Sequence, residues 1–259
     1  MGEPFIRFHR VRKAFSTKVV YSSLNLEIAR GEVLCVVGGS GVGKSVMLKM
    51  LIGLLKADSG SIVFDGQEVT QLNDDELGRV RRRIAMLFQA SALFDSLSVG
   101  KNVGYGLEEH FRYSMTRQEI RDRVAWALGL VDLPGIEEMR PADLSGGMRK
   151  RVALARAIAV QPEVLLYDEP TTGLDPINTA RINHLIIGMQ RKLKITSIVV
   201  THDMKSAFSV GDQIAMVHSG RIIAHDTVER FRALTDQRVV DFIEGRAPVK
   251  EDIDTLLNT

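Results

Sequence analysis

Along this chain the hydrophobic residues follow two patterns in alternation. Short apolar runs predict strands at residues 5–8, 19–28, 33–37, 59–64, 84–88, 164–168 and 196–200, with a last pair around Gly220. The 19–28 run ends in an alternation of Leu24, Leu26 and Ile28 against polar neighbours, and the 59–64 run closes at an Asp65-Gly66 turn. Between the runs, apolar positions recur at helical spacing. Val46, Met47, Leu48, Met50 and Leu51 are one such set; residues 74–83 form a charged helix capped by Asn73 or Asp74; residues 178–194 and a short stretch from Met204 complete the series.

From about residue 97 to residue 159 the pattern turns mostly helical. Residues 115–130, with Thr116 as cap and Glu119 three positions on, carry Ile120, Val124, Ala127 and Leu128 on one stripe. Leu144-Ser145-Gly146-Gly147 opens a further helix, predicted to expose Arg149, Lys150 and Arg151 and to bury Val152, Leu154, Ala155 and Ile158. Strands alternating with helices on either side of this region predict a doubly wound α/β core into which a helical lobe is inserted. A tail from Thr227 carries one stripe, Val239, Phe242 and Ile243, and then turns polar.

Composition narrows the class. The 259 residues are 45% hydrophobic with a net charge of +2, an ordinary globular balance that supplies no broad nucleic-acid-coating surface. Arg79, Arg81, Arg82 and Arg83 read as a solvated helix face, and the single cysteine, Cys35, as a core residue inside its apolar run. No run approaches the roughly 18 apolar residues of a membrane span, and no signal-peptide core is expected at the N-terminus. Work at a membrane is therefore expected to go through a partner.

The chemistry concentrates where the 33–37 run meets its helix. Gly38, Gly43, Lys44 and Ser45 stand at the fixed places of G-x-x-x-x-G-K-[ST]. Gly38, Gly41 and Gly43 let the backbone curl so that successive N–H groups point inward, and the helix start adds unpaired donors. A polyphosphate fits that cradle, with Lys44 reaching its terminal phosphates and Ser45 placed to ligate Mg²⁺. The 164–168 run delivers Asp168 and Glu169 at its C-terminal edge, Asp168 suited to hold Mg²⁺ directly or through water and Glu169 to accept a proton from an attacking water. The 196–200 run ends in Thr201-His202-Asp203, so His202 could donate to a γ-phosphate oxygen. Two features stay open on residues alone. Phe15 either stacks on an adenine or belongs to the core, and the Ser145-Gly146-Gly147 helix start is either a plain cap or closes over a nucleotide held by another chain.

Taken together, these residues resemble the ATP-binding subunit of ABC transporters over nearly all of residues 5–235. The motifs follow that family's order: an A-loop aromatic at Phe15, the Walker A loop from Gly38 to Ser45, the Q-loop at Gln89, the signature from Leu144 to Met148, Walker B ending in Asp168-Glu169, the D-loop Gly173-Leu174-Asp175 and the switch His202. The resemblance implies a P-loop NTPase core at about 5–96 and 160–225, a mixed sheet with a parallel centre and antiparallel N-terminal strands, a helical subdomain at 97–159 and a C-terminal extension at 236–259. It implies ATP and Mg²⁺ held by Phe15, the backbone and side chains of Gly38, Gly39, Ser40, Gly41, Val42, Gly43, Lys44, Ser45 and Val46, and by Gln89 and Asp168. Ser145, Gly146, Gly147 and Asp175 would serve the other subunit of a head-to-tail homodimer, and an integral membrane permease would dock in the neighbouring groove. Phe15 replaces the usual tyrosine, Gly39 a frequent proline and Met148 the frequent glutamine of the signature.

A narrower resemblance, carried by Gly38-Gly39-Ser40-Gly41, Phe88-Gln89, residues 92–97, Asn102-Val103 and residues 144–159, is to the ATPases of Mce/Mla-type systems. It implies phospholipid or related lipid transport from the cytoplasmic face of a bacterial inner membrane, with a Mce-domain substrate-binding protein and a small accessory regulatory subunit as further partners. The tail stripe is expected to pack on the paired ATPase or on that accessory subunit. The alternative is another small-substrate transporter of the same family, and a nucleic-acid-associated ABC ATPase is disfavoured by the balanced charge.

Overall fold

The computed structural model describes residues 3–111 and 113–246. The chain opens with β1 (Ile6–Phe15), β2 (Lys18–Ile28) and β3 (Val33–Val37), enters α1 (Lys44–Leu51), and returns through β4 (Ser59–Phe64) and β5 (Gln67–Glu68). Helix α2 (Asp74–Arg83) and β6 (Ile84–Leu87) follow, then the helices α3 (Val99–Phe111), α4 (Arg117–Leu130) and α5 (Gly146–Ala159). The α/β alternation resumes with β7 (Val164–Asp168), α6 (Pro176–Leu193), β8 (Thr196–Thr201), α7 (Met204–Val210), β9 (Gln213–His218) and β10 (Arg221–Thr227), and ends in α8 (Val228–Arg232) and α9 (Gln237–Glu244).

Two sheets carry these strands. One is antiparallel in the order β2-β1-β4-β5; the other runs β10-β9-β3-β8-β7-β6 and is parallel from β9 to β6. The parallel sheet is covered on both faces, which is why its strands are continuous apolar runs. Cys35 and Val37 of β3, with Leu165 and Tyr167 of β7, join one core cluster with α3, α4 and α5. Leu34, Val36 and Leu166 join the other, with α1 and the antiparallel sheet.

Local chemistry places the helices. Asn73 and Thr116 each form a reciprocal capping box, with Glu76 and Glu119 respectively. Helix α6 begins two residues earlier than its apolar spacing suggests, because Asp175 caps it and Pro176 fits the first turn.

Four expectations need correction. Strand β1 runs on to Phe15 instead of stopping at residue 8, because irregularities between Phe8 and Val11, with Arg10 at φ 48°, shift the inward parity that a period-two reading requires. Arg81 and Arg83 are ties, not a solvated face: Arg81 donates to the Ile52 and Gly53 carbonyls, and Arg83 binds the carboxylates of Asp65 and Glu163. Lys150 and Arg151 are buried, because α5 packs against other elements on that side. The Arg151 guanidinium donates to the Val131 and Asp132 carbonyls, satisfying the end of α4. Val239 of α9 is fully buried in the chain's own core and so is taken up within the chain, while Phe242 and Ile243 pack beside it only partly buried; residues 247–259 lie outside the described residues.

Candidate active site

Four parallel neighbours, β3, β8, β7 and β6, end along one edge of the sheet. Their exits are thereby brought together: the glycine loop after Val37, His202 after Thr201, Glu169 after Asp168, and Gln89 two residues past Leu87. This is the edge at which open α/β sheets bind ligands. The cleft there has a volume of about 480 Å³ and is walled by Ser40, Gly41, Gly43, Lys44, Ser45 and Val46 on one side and by Gln89, Glu169 and His202 on the other.

The loop needs its glycines at two places in particular. Gly38 sits at φ 151°, where a Cβ would stand 2.5 Å from the Val217 carbonyl oxygen. Gly43 sits at φ 107°, where a Cβ would stand 2.3 Å from a Val20 methyl. Tyr21 fixes the same spot from β2, its phenol donating to the Gly43 carbonyl at 3.0 Å. Burial pushes that phenol's pKa up, so the hydroxyl stays a donor.

Lys44 is buried at the base of the cleft. Its ammonium donates to the Gly38 and Gly39 carbonyls at 2.8 and 2.9 Å and lies 3.7 Å from Glu169 Oε1. Burial lowers its pKa, and the Glu169 carboxylate opposes that shift. The Ser45 hydroxyl donates to Asp168 Oδ1 at 2.6 Å, placing two oxygens of the kind that hard cations prefer side by side.

Glu169 adopts φ 51°, a strained backbone for a residue with a side chain, held by its N–H bond to the Val200 carbonyl at 2.9 Å. Its Oε2 lies 2.9 Å from His202 Nδ1 and accepts from the Thr172 hydroxyl at 3.2 Å. A carboxylate so anchored, next to a phosphate-type loop, is equipped to take a proton from water.

Other residues singled out in the sequence lie apart from this cleft. Phe15 ends β1 exposed, with the Lys13 ammonium 5.2 Å from its ring centre, and is not on the cleft wall. Val42 packs behind the loop, near Gly38. Ser145 caps α5 by accepting from the Met148 N–H, and Asp175 caps α6 by accepting from the Ile177 and Asn178 N–H groups. Asn178 links the two turns, since its side chain donates to Asp175 and leaves no room for a Cβ on Gly147. Ser145, Gly146, Gly147 and Asp175 line no part of the chain's own cleft.

Sequence reasoning missed Tyr21, Thr172 and Lys150 as supports of this site. Lys150 had a usable signal: it shares the buried helical stripe of Ala153, Leu154 and Ala157, and only its charge argued for exposure.

Comparison with known proteins agrees with this geometry. The model of a family described as ABC transporter matches residues 21–172. The chain is 40% identical over 230 residues to the intermembrane phospholipid transport system ATP-binding protein MlaF of Haemophilus influenzae, covering 89% of this chain and 86% of that protein. It is 37% identical to the probable ribonucleotide transport ATP-binding protein mkl of Mycobacterium tuberculosis, covering 93% of this chain and 67% of that one. Among solved structures, a dimeric ATP-binding cassette in a post-hydrolysis state bound to ADP and Pi superposes with a TM-score of 0.80 at 31% identity, over 86% of this chain and 98% of that one. The chain therefore belongs to the ATP-binding subunits of ABC transporters, and it is an ATPase.

Proposed function

We propose that this ATPase energises a transporter of phospholipid or a closely related lipid, acting as a homodimer on an integral membrane permease at the cytoplasmic face of a bacterial inner membrane. The observation that supports the lipid assignment is the 40% identity to MlaF across nine-tenths of the chain. Among the described residues no helix is long and apolar enough to cross a membrane, in keeping with membrane work done through a partner. A Mce-domain substrate-binding protein and a small accessory subunit complete the proposed assembly. Within the chain, we assign residues 5–96 and 160–225 to the ATPase core, 97–159 to the helical subdomain and 236–259 to an extension.

In this reading the loop N–H groups and Lys44 bind the β- and γ-phosphates, Phe15 stacks on the adenine, and Gln89 orients the attacking water. Glu169 accepts that water's proton, and His202 both orients Glu169 and contacts the γ-phosphate. Ser145, Gly146 and Asp175, exposed away from their own cleft, complete the cleft of the second subunit together with the buried Gly147 beside them. The adjacent oxygens of Ser45 and Asp168 fit Mg²⁺, which takes few protein ligands and shares phosphate oxygens; among the described residues no cluster of three acidic, His or Cys side chains offers a fuller cage. Bound there, with Gln89 at hand, the ion would neutralise phosphate charge.

Purification from the native membrane, with identification of the proteins and lipids recovered, tests the assignment. A permease carrying phospholipid is expected. A second reading, a ribonucleotide transporter, draws on the 37% identity to mkl and predicts nucleotide in place of lipid. Recovery of nucleic acid without any integral membrane protein would remove both.

A further inference from the structure

The ammonium of Lys150 is buried, and its three hydrogen-bond partners are backbone carbonyls of one short turn: Thr172 at 2.8 Å, Pro170 at 2.9 Å and Glu169 at 3.4 Å. An ammonium has three donors, so this turn takes all of them. The same turn carries the Glu169 carboxylate and the Thr172 hydroxyl that bonds it at 3.2 Å. Lys150 therefore grips Glu169 twice, at its own carbonyl and through the backbone of the residue that orients its carboxylate.

Lys150 also sits on α5, five residues after Ser145, which caps that helix. A helix transmits displacement as a rigid rod over so short a span. The turn that we propose to cap the second subunit's nucleotide and the turn that bears the proton acceptor of the first site are thus joined by one side chain.

We infer that Lys150 is a positioning residue for Glu169, holding the base in its reactive orientation and tying that orientation to the Ser145–Gly147 turn. The inference rests on the reading of Glu169 as general base. No neutral side chain offers three donors at one atom, so three converging carbonyls call for an ammonium. Burial lowers the pKa of this one, and the Glu169 carboxylate opposes that shift. The lysine is thus electrostatically addressed to that carboxylate as well as bonded to its backbone.

The test is the ATPase rate of the full chain, in the membrane complex with which it purifies, carrying Lys150→Met. Misplacing a catalytic group by an ångström costs about 10²-fold, so kcat is expected to fall by about that factor while the KM for ATP stays near the wild-type value. Lys150→Arg, which keeps the charge and several donors, is expected to restore most of the rate. In a Glu169→Gln background Lys150→Met is expected to have no further effect, since the group that it positions is already disabled. If Lys150→Met does not fold, Lys150→Gln, which keeps an uncharged donor, takes its place, with thermal unfolding followed alongside.

An unchanged kcat in a variant that binds ATP, or an equal further loss in the Glu169→Gln background, overturns the inference while leaving the base assignment in place. Full turnover in Glu169→Gln itself removes the base assignment, and this inference with it.

Discussion

Glu169 Oε2 lies 2.9 Å from His202 Nδ1, joining the residue just past β7 to the residue just past β8. The pair spans two adjacent strand ends, so its geometry is set by the sheet register that opposes Asp168 to Val200. The carboxylate is nearly buried whereas the imidazole is mostly exposed, which leaves the histidine's other face free to meet a ligand. Glu169→Gln preserves shape but removes the proposed proton acceptor, and should lower single-turnover hydrolysis by about 10²–10⁴-fold with ATP affinity retained. His202→Ala should lower the rate less, because the Thr172 hydroxyl still orients the carboxylate. Nucleotide titration and quench-flow on both variants measure the two effects separately.

Tyr21→Phe isolates the support of the phosphate loop from its packing. The ring stays in place while the hydroxyl that donates to the Gly43 carbonyl is lost. The stability cost should be about 1 kcal/mol, the worth of one hydrogen bond. The loop should also bind ATP less tightly, with a raised KM and a kcat close to wild type. A fall in kcat with unchanged KM would mean that the hydroxyl acts on the chemical step and not on the loop.

The ion cluster around Arg83 makes a prediction about pH. Hydrogen bonds from Arg83 are the main reason that the carboxyls of Asp65 and Glu163 titrate below the usual carboxylate range. The unfolded chain thus takes up these protons at a higher pH than the folded one. The cluster's stabilisation is complete above the ordinary carboxylate pKa of about 4 and is lost as pH falls through the lower folded values. Both carboxylates are more than a third exposed, so solvent screening limits the contribution to about 1 kcal/mol. Arg83→Met should be less stable than wild type by that amount at neutral pH, with the gap closing as pH falls below the ordinary carboxylate range, as read by urea unfolding. A gap that persisted in acid would assign the loss to the packing of Arg83 over the Phe64 ring, 4.6 Å away.

Much of the site was legible because its chemistry is local. The glycine loop, Lys44 and Ser45 are contiguous, and Asp168-Glu169 stand at the end of a short apolar run of the kind that a sheet covered on both faces produces. The supports were harder to read because they are made at a distance. Tyr21 meets Gly43 through a contact between the antiparallel sheet and the loop that leads into α1, and no periodicity in β2 announces where its hydroxyl ends. Lys150 was misread because charge was equated with exposure, although a turn with several unpaired carbonyls can draw a lysine inward. The extent of β1 was hidden by its irregularities near Arg10, which break the alternation that defines a strand in sequence.

The separation of Ser145 and Gly147 from the chain's own cleft yields the sharpest test of the two-chain site. Lys44→Ala removes the proposed phosphate ligand from one cleft, and Ser145→Arg places a bulky side chain on the turn proposed to close the other subunit's cleft. A homodimer of either variant carries a lesion in both composite sites and should hydrolyse ATP poorly. In a mixed dimer, the Ser145 turn of the Lys44→Ala chain faces the intact loop of the Ser145→Arg chain, and both lesions fall together in the second site. Mixing the two inactive proteins should therefore restore turnover, to a level no higher than one working site in two allows. If each chain completed its own site, the mixture would stay inactive, since every chain would still carry a lesion in its only site. ATPase assays on tagged, co-purified heterodimers decide between these arrangements, with the Ser145→Arg chain's own ATP binding checked to confirm that its loop is intact.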